Sequence, residues 1–182
     1  EPMWLQQQHT NKVIDADEYE VGMTADAIIS HKPHQVCAVM TADCLPILLA
    51  DRQAKIIAAI HAGWRGLAHE IIANTIAKMN TKPLDLCAWF GPAIGPKKFV
   101  VGQEVYEKFV TVNRDVESAF NRIDTHQYLA NIYLIAQIQL AQLGVQSIYG
   151  GEYCTFTDKQ KFFSYRRDGQ TGRMASLIWM NI

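Results

Sequence analysis

The chain lacks the cysteine spacing, the long apolar runs and the basic excess that would place it in several common classes of protein. It contains no Cys-x-x-Cys pair, and its four cysteines are far apart, at Cys37, Cys44, Cys87 and Cys154. This usage is typical of a reducing compartment, so we expect a cytoplasmic protein without a disulfide framework. No apolar stretch is long enough to span a bilayer, and 17 basic against 18 acidic residues provide no basic footprint. We therefore expect neither membrane nor nucleic-acid partners.

The length of the chain and its apolar content fit one domain with a substantial core. The chain has 182 residues, of which 49% are hydrophobic, and this is the size of one ordinary domain. Strand-like runs adjoin one another through short turns and are interleaved with helical patterns, which favours mixed sheets over a strictly parallel sheet. We predict an α/β (α+β) fold, with residues 1–182 forming a single domain.

Hydrophobic periodicity predicts the boundaries of individual elements. Helical spacing of apolar residues predicts helices over residues 67–79 and 129–143, and Gly144 is expected to cap the second. Apolar and β-branched runs predict strands over residues 36–41, 55–60, 84–90, 162–166 and 174–180. We expect the strand at residues 174–180 to be buried.

Two chemically reactive side chains follow neighbouring apolar runs. Cys44 comes after the strand predicted at residues 36–41, and His61 directly follows the one at residues 55–60. Strand ends hold a side chain rigidly while its tip remains open to a pocket, so a shared site is one interpretation. Spacing alone favours a simpler one, in which Cys44 is a small buried hydrophobe and His61 caps a turn, because HExxH and similar local metal motifs are missing. His9, taken alone, is typical of a solvated loop.

Several distinct motifs, in one order along almost the whole chain, carry a resemblance to a known family. They are QQQHTNKV, TADCLP, HAGWRG, FGPAIGP, VGQEV, FFSYRRDGQTGR and the final SLIW. In these segments the chain resembles a bacterial family labelled both multicopper polyphenol oxidase (laccase) and purine nucleoside phosphorylase, and also linked to peptidoglycan editing. Members of that family carry a further N-terminal segment with a Thr-Arg-x-Gly-Gly motif, which has no counterpart in this sequence.

The resemblance implies a metal site, a fold and an activity. It implies zinc bound by His9, Cys44 and His61, where the family's usual Gln-Val-His-Gly is Gln-Gln-His-Thr. The implied fold is a sandwich of mixed β-sheets flanked by helices. The implied activities are phosphorolysis of adenosine, inosine and methylthioadenosine, with adenosine deamination beside it, so the expected partners are a purine nucleoside and phosphate. Two imidazoles and one thiolate agree with a three-ligand zinc set that leaves a fourth position open.

The same motifs supply candidate substrate-binding residues. Arg65, Arg166 and Arg167 could hold phosphate, because a guanidinium matches it bidentately, and surface or structural ion pairs are the alternative for each. Asp43 or Asp26 could move protons, with a buried carboxylate bound to a main-chain turn as the alternative.

Other interpretations of these residues stay open. Trp64 or Phe90 could stack on a purine, although core packing explains both. Two histidines and a cysteine also bind copper in electron-transfer sites with an axial Met, for which Met40 is the nearest candidate, but a laccase needs several coppers and many more histidines. A metal-free Cys44–His61 hydrolase and a non-enzymatic zinc module acting in peptidoglycan editing are further alternatives. The sequence leaves the oligomeric state open.

Overall fold

A six-stranded mixed sheet forms the centre of the computed structural model, which describes residues 1–181. Its strand order is β11-β7-β5-β6-β3-β2, and two three-stranded sheets have the orders β1-β4-β12 and β8-β10-β9. The strands are β1 Pro2–Met3, β2 Val13–Asp15, β3 Ala27–Ser30, β4 Val36–Thr41, β5 Leu45–Asp51, β6 Ile57–Ala62, β7 Leu86–Phe90, β8 Val100–Gly102, β9 Phe120–Arg122, β10 Gln127–Ala130, β11 Ser147–Gly150 and β12 Met174–Ile178. The helices are α1 Trp64–Ala68, α2 Ile71–Met79, α3 Gln103–Val110, α4 Ile132–Gln142 and α5 Tyr165–Asp168.

The six-stranded sheet is buried on both faces, which makes the fold a sandwich flanked by helices. On β3 and β6, Ile29 and Ile60 belong to the core that packs against the helices. Their neighbours Ile28 and Ala59 belong to a second core, shared with Cys37 of the β1-β4-β12 sheet. Because successive side chains of a strand point to opposite faces, these strands consist of nearly continuous apolar residues. The predicted mixed α+β architecture is confirmed.

The strand predicted at residues 55–60 lies further along the chain, and this places His61 inside it. β6 runs from Ile57 to Ala62, because its antiparallel pairing with β5 continues through Pro46↔His61 and Leu45↔Ala62. The expectation that His61 follows the strand in a turn is therefore wrong. Alternation along β6 places His61 on the same face as Ile57 and Ala59, towards the β1-β4-β12 sheet.

Both predicted helices exist, with different boundaries. The helix predicted over residues 67–79 is divided into α1 and α2 by Glu70, whose φ of 64° is left-handed. The helix predicted over residues 129–143 begins only at Ile132, because the Asn131 side chain accepts a hydrogen bond from the backbone N–H of Leu134 and caps it. Gly144 ends this helix with a φ of 95°, as predicted. Within residues 1–181, no helix has the length and apolar character needed to cross a membrane.

The predictions for the C-terminal third are less accurate. The strand expected at residues 162–166 is wrong, because the Ser164 side chain accepts a hydrogen bond from the Arg167 backbone N–H and starts helix α5. The strand expected at residues 174–180 ends at Ile178 and lies at the edge of its sheet, so it is only partly buried. The strand at residues 84–90 begins at Leu86. The strand Val36–Thr41 is confirmed at both ends.

Candidate metal centre

His9, Cys44 and His61 come together in space although they lie far apart in the sequence. One ligand atom from each lies within 4.8 Å of the others, and Cys44 Sγ is 3.6 Å from His9 Nε2. In tetrahedral zinc sites, bond lengths of about 2.3 Å to sulfur and about 2.0–2.1 Å to nitrogen place two such ligand atoms about 3.5 Å apart. The donor set and its spacing therefore fit a divalent ion. Among residues 1–181, no other group of three His, Cys, Asp or Glu side chains has this arrangement.

Backbone geometry brings the three side chains to one place. Cys44 immediately precedes β5, and His61 lies next to the last residue of the neighbouring strand β6. His9 has a left-handed φ of 59° in the loop between β1 and β2. The Gln7 side chain fixes this loop to β4, because its amide donates to the Met40 carbonyl and accepts from the Met40 N–H, both at 2.7 Å.

Asp26 is the acid that organises this site. Its side chain is fully buried, and Oδ1 accepts hydrogen bonds from Nδ1 of His61 at 2.7 Å and from the backbone N–H of His9 at 2.9 Å. Oδ2 accepts from the backbone N–H of Thr10 at 2.6 Å and from its hydroxyl at 2.7 Å. Both oxygens are thus occupied within the protein. Asp26 orients the ring of His61 and fixes the backbone at His9, and carboxylates that orient metal-binding imidazoles contact the ring as Asp26 contacts His61.

The same contacts shift three pKa values. Burial alone would raise the pKa of Asp26, but hydrogen bonds from His61 and Thr10 outweigh it and lower this pKa to about 2. Burial would likewise raise the pKa of Cys44, yet the adjacent His61 and His9 lower it to about 6. For His61, burial acts to lower the pKa, while Asp26 and Cys44 raise it to about 9. The site therefore favours a thiolate at neutral pH, the form that binds metal ions.

Gly63 leaves the space that these ligands need. A Cβ at this position would lie 2.8 Å from Cδ2 of His9 and 3.0 Å from Sγ of Cys44. Any larger residue would therefore crowd two of the three candidate ligands. The glycine of the HAGWRG motif is explained by this close approach, since its φ of −69° is open to every residue.

The three candidate ligands line a cleft of about 740 Å³. Its apolar and aromatic walls come from Ile94, Phe99, Ile132, Trp64 and Tyr165. Its basic side chains other than the histidines are Arg65, Arg166 and Arg173. A cleft of this volume, with apolar walls and a few convergent polar groups, is typical of sites for small molecules.

Among the residues predicted to bind substrate, the two aspartates make internal contacts. Asp26 is buried beneath the histidines, as described above. Asp43 borders the cleft, but its carboxylate accepts hydrogen bonds from the hydroxyls of Thr155 and Ser164 and from the backbone N–H of Arg166. Asp43 therefore joins the turn before Cys44 to the start of helix α5. The contacts of both carboxylates fit the structural role given above as the alternative, and proton transfer by either remains a prediction.

The arginines differ from one another. Arg65 and Arg166 line the cleft, with their guanidinium carbons 4.5 Å from the ring centre of Trp64 and 5.6 Å from that of Phe99. Arg167, by contrast, donates to the carbonyls of residues 155, 156 and 162 and pairs with Asp168. Its guanidinium is a structural clamp, and this does not support the predicted phosphate contact.

The two aromatic residues considered for stacking on a purine, Trp64 and Phe90, differ in their positions. Phe90 is buried in the core, as its alternative interpretation predicted, whereas Trp64 is half-buried and lines the cleft. Sequence reasoning missed Arg173 and Tyr165 as residues of the cleft. Both belong to the FFSYRRDGQTGR motif. Arg173 lies beside the pairing of Met174 with Thr41, and Tyr165 lies in α5, whose N-terminal end donates hydrogen bonds to Asp43. No local pattern reveals that pairing.

Known proteins are similar in sequence to nearly the whole length of this chain. A Haemophilus influenzae protein named purine nucleoside phosphorylase is 51% identical over 180 residues, covering 98% of this chain and 74% of that protein. The Escherichia coli K12 purine nucleoside phosphorylase YfiH is 47% identical, with the same coverage.

Solved structures agree with the sequence comparison. The crystal structure of Neisseria meningitidis protein NMB0706 matches with a TM-score of 0.97 and 45% identity, over 99% of this chain and 75% of that one. The structure of YlmD from Geobacillus stearothermophilus matches with a TM-score of 0.89 and 27% identity, over 100% of this chain and 74% of that one. The family model described as multi-copper polyphenol oxidoreductase laccase matches residues 1–181, and the chain belongs to that family.

Proposed function

We propose that this protein is a zinc-dependent purine nucleoside phosphorylase acting on adenosine, inosine or methylthioadenosine, with adenosine deamination at the same site. The observation that carries the proposal is the convergence of His9, Cys44 and His61 on a cleft with arginine side chains in its wall. Relatives up to 51% identical that are named purine nucleoside phosphorylase support the first activity. The four free cysteines support a cytoplasmic location.

In this proposal His9, Cys44 and His61 hold the metal ion. Zinc in such a site supplies a Lewis acid and lowers the pKa of bound water towards about 7, which suits attack on a purine ring carbon. Nδ1–H of His61 donates a hydrogen bond to Asp26, so Nε2 is the ring nitrogen that would bind the metal, with loss of its proton on binding.

The cleft has separate walls for the base and for an anion. Tyr165 is 61% exposed and pairs with no other aromatic ring in the described chain, so we assign it to stacking on the purine. Trp64 is less suitable, because the guanidinium of Arg65 already lies over its ring. Arg65 and Arg166 remain available for phosphate.

The test combines metal analysis with product analysis on the purified protein. We expect one zinc per chain, release of adenine from adenosine that depends on phosphate, and slower formation of inosine without phosphate. Cys44→Ala should lose zinc and both activities while retaining a folded domain. Full activity in this variant would contradict the metal mechanism. A protein that unfolds on metal removal and never turns over nucleosides would instead be a zinc-stabilised module, as the link to peptidoglycan editing suggests.

A metal-free hydrolase is a second candidate, because Asp26, His61 and Cys44 also have the order of an acid–base–nucleophile triad. Asp26 contacts Nδ1 of His61, and the pKa of Cys44 is lowered by its neighbouring imidazoles. Activity that persists after complete removal of metal by a chelator would favour this candidate. Activity that disappears and returns with added zinc would exclude it.

Copper chemistry is tested by the same preparation. The family description names a multi-copper oxidoreductase, but the described chain brings together only one group of three candidate ligands. The whole sequence contains six histidines, which are few ligands for several copper sites. Visible absorption from a Cu–thiolate bond and oxidation of phenols would favour this alternative, and their absence in copper-loaded protein would exclude it.

A further inference from the structure

The charged side chains of the cleft are predominantly basic. Its lining contains one carboxylic acid, Asp43, whose oxygens accept hydrogen bonds from Thr155, Ser164 and the backbone of Arg166, and the other anionic group is the Cys44 thiolate of the metal centre. Against this acid the cleft presents the imidazoles His9 and His61 and the guanidiniums of Arg65, Arg166 and Arg173. Such a cleft attracts an anion and disfavours a cation.

Arg173 holds a fixed position in this wall. It immediately precedes β12, where Met174 pairs with Thr41 at the end of β4, so it lies beside the segment that leads to Cys44. Its Nη1 donates to the carbonyls of Thr171 and Gly172 at 2.9 and 3.0 Å. These bonds orient the guanidinium, and in the described chain no protein acceptor occupies its Nε or Nη2 and no carboxylate pairs with it.

The other two arginines are held in a comparable way. The guanidinium of Arg166 lies over the ring of Phe99 and donates one hydrogen bond, from Nη1 to the carbonyl of Val100 at 2.8 Å. Arg65 lies over Trp64. Neither has a carboxylate partner within residues 1–181. Since a guanidinium carries five N–H donors, each of the three arginines keeps donors for a ligand.

We propose that Arg173, together with Arg166 and Arg65, forms an oxyanion subsite that binds inorganic phosphate next to the metal centre. The identification of phosphate as co-substrate rests on the function proposed above, but phosphate binding itself can be measured without turnover. In the reaction, a phosphate oxygen forms a bond to C1′ of the ribose while the C1′–N bond to the purine breaks. The purine leaves with that electron pair and gains the proton that hydrogen phosphate loses.

Calorimetric titration of the zinc-loaded full chain with inorganic phosphate tests the subsite directly. Arg173→Ala should weaken phosphate binding at least tenfold, and Arg173→Lys should restore part of the loss, because it keeps the charge without the bidentate geometry. Arg122→Ala is the matched control, since Arg122 is exposed on β9 and does not border the cleft. It should bind phosphate like the wild type. In steady-state assays, Arg173→Ala should raise KM for phosphate by a similar factor and leave KM for the nucleoside nearly unchanged.

The outcomes separate the subsite from the proposed function. Phosphate binding that is absent from the wild type, or indifferent to Arg173, overturns the subsite, even if base release depends on phosphate. Arg173-dependent phosphate binding without any phosphate-dependent base release supports the subsite and contradicts the phosphorylase. A large rise in KM for the nucleoside, with KM for phosphate unchanged, would mean that Arg173 binds the nucleoside. This result would overturn the proposal.

Discussion

Asp26 accepts a hydrogen bond from Nδ1 of His61 at 2.7 Å, in a position where the aspartate is fully buried and the histidine is 4% exposed. The same oxygen accepts the backbone N–H of His9. An ionised carboxylate can only accept hydrogen bonds, so the proton of a neutral His61 belongs on Nδ1 and Nε2 remains free. One acid thus orients the ring of one candidate metal ligand and fixes the backbone position of a second one. Both oxygens of Asp26 accept hydrogen bonds from the protein, so we expect it to act as a positioning residue.

Asp26→Asn should weaken zinc binding by about 10–100-fold, the usual effect of losing an outer partner of a metal-bound histidine. The change keeps the size of the side chain but removes its charge and one of its two acceptors. Competition with a chromophoric chelator measures the affinity. Asp17→Asn is a suitable control, because Asp17 is exposed and pairs with Lys32 at 2.8 Å. An unchanged zinc affinity in Asp26→Asn would mean that the loop holds the histidines without the carboxylate.

Acid should remove a defined part of the stability of the metal-free protein. The pKa of Asp26 is lowered from 3.8 to about 2, so its stabilising effect is complete above the higher value and disappears as the pH falls through the lower one. A shift of this size corresponds to about 2 kcal/mol in the free energy of unfolding.

Urea unfolding of the metal-free wild type and of Asp26→Asn at pH 6 and pH 2 measures this contribution. The stability advantage of the wild type should shrink by about 2 kcal/mol at the lower pH. A difference that stays constant between the two pH values would show that ionisation of Asp26 does not stabilise the fold.

Much of the fold follows from local sequence patterns. The strand Val36–Thr41 and the cap at Gly144 are confirmed, because apolar runs and glycine act over a few residues. The segment around Ser164 is mispredicted, since its side chain bonds to the backbone of Arg167 and stabilises a helical turn in an otherwise strand-like run. Glu70 likewise breaks a helix whose apolar pattern continues without interruption.

The candidate site depends on contacts that no local pattern reveals. Motif resemblance identified His9, Cys44 and His61, and the structure brings these three together. It could not distinguish Arg166 from Arg167, because the difference arises from carbonyl groups that only the folded chain places around Arg167. The position of Arg173 and the internal bonds of Asp26 also depend on strand register.

Alkylation of Cys44 should distinguish a metal-bound thiolate from a free nucleophile. The pKa of Cys44 is lowered to about 6, so in metal-free protein its iodoacetamide reaction should rise with a midpoint near pH 6. Zinc should protect it. Cys37 serves as the internal control, since burial raises its pKa to about 12 and it should stay unmodified. Peptide mass analysis distinguishes these sites from the partly exposed Cys154. Equal Cys44 labelling with and without zinc would contradict coordination by this sulfur.

Gly63→Ala should empty the metal centre with little damage to the fold. The added methyl group would lie 2.8 Å from a carbon of the His9 ring and 3.0 Å from the sulfur of Cys44, while the backbone at φ −69° tolerates alanine. We expect zinc affinity to fall more than tenfold, because the added methyl crowds the His9 ring and the Cys44 sulfur at once. The melting temperature of the metal-free protein should change by only about 2–4 °C, the shift expected from about 1 kcal/mol in a chain of this size.

Gly66→Ala is the matched control for this prediction. Gly66 lies in α1, which Gly63 directly precedes, and its added Cβ would approach the carbonyl oxygen of Thr10 at 3.2 Å instead of a ligand atom. This variant should keep its zinc. Because zinc content and the melting temperature of the metal-free protein are measured separately, a general loss of stability is distinguishable from loss of the site. Full zinc occupancy in Gly63→Ala would show that His9 and Cys44 do not need the space beside residue 63, and the three-ligand arrangement would then be wrong.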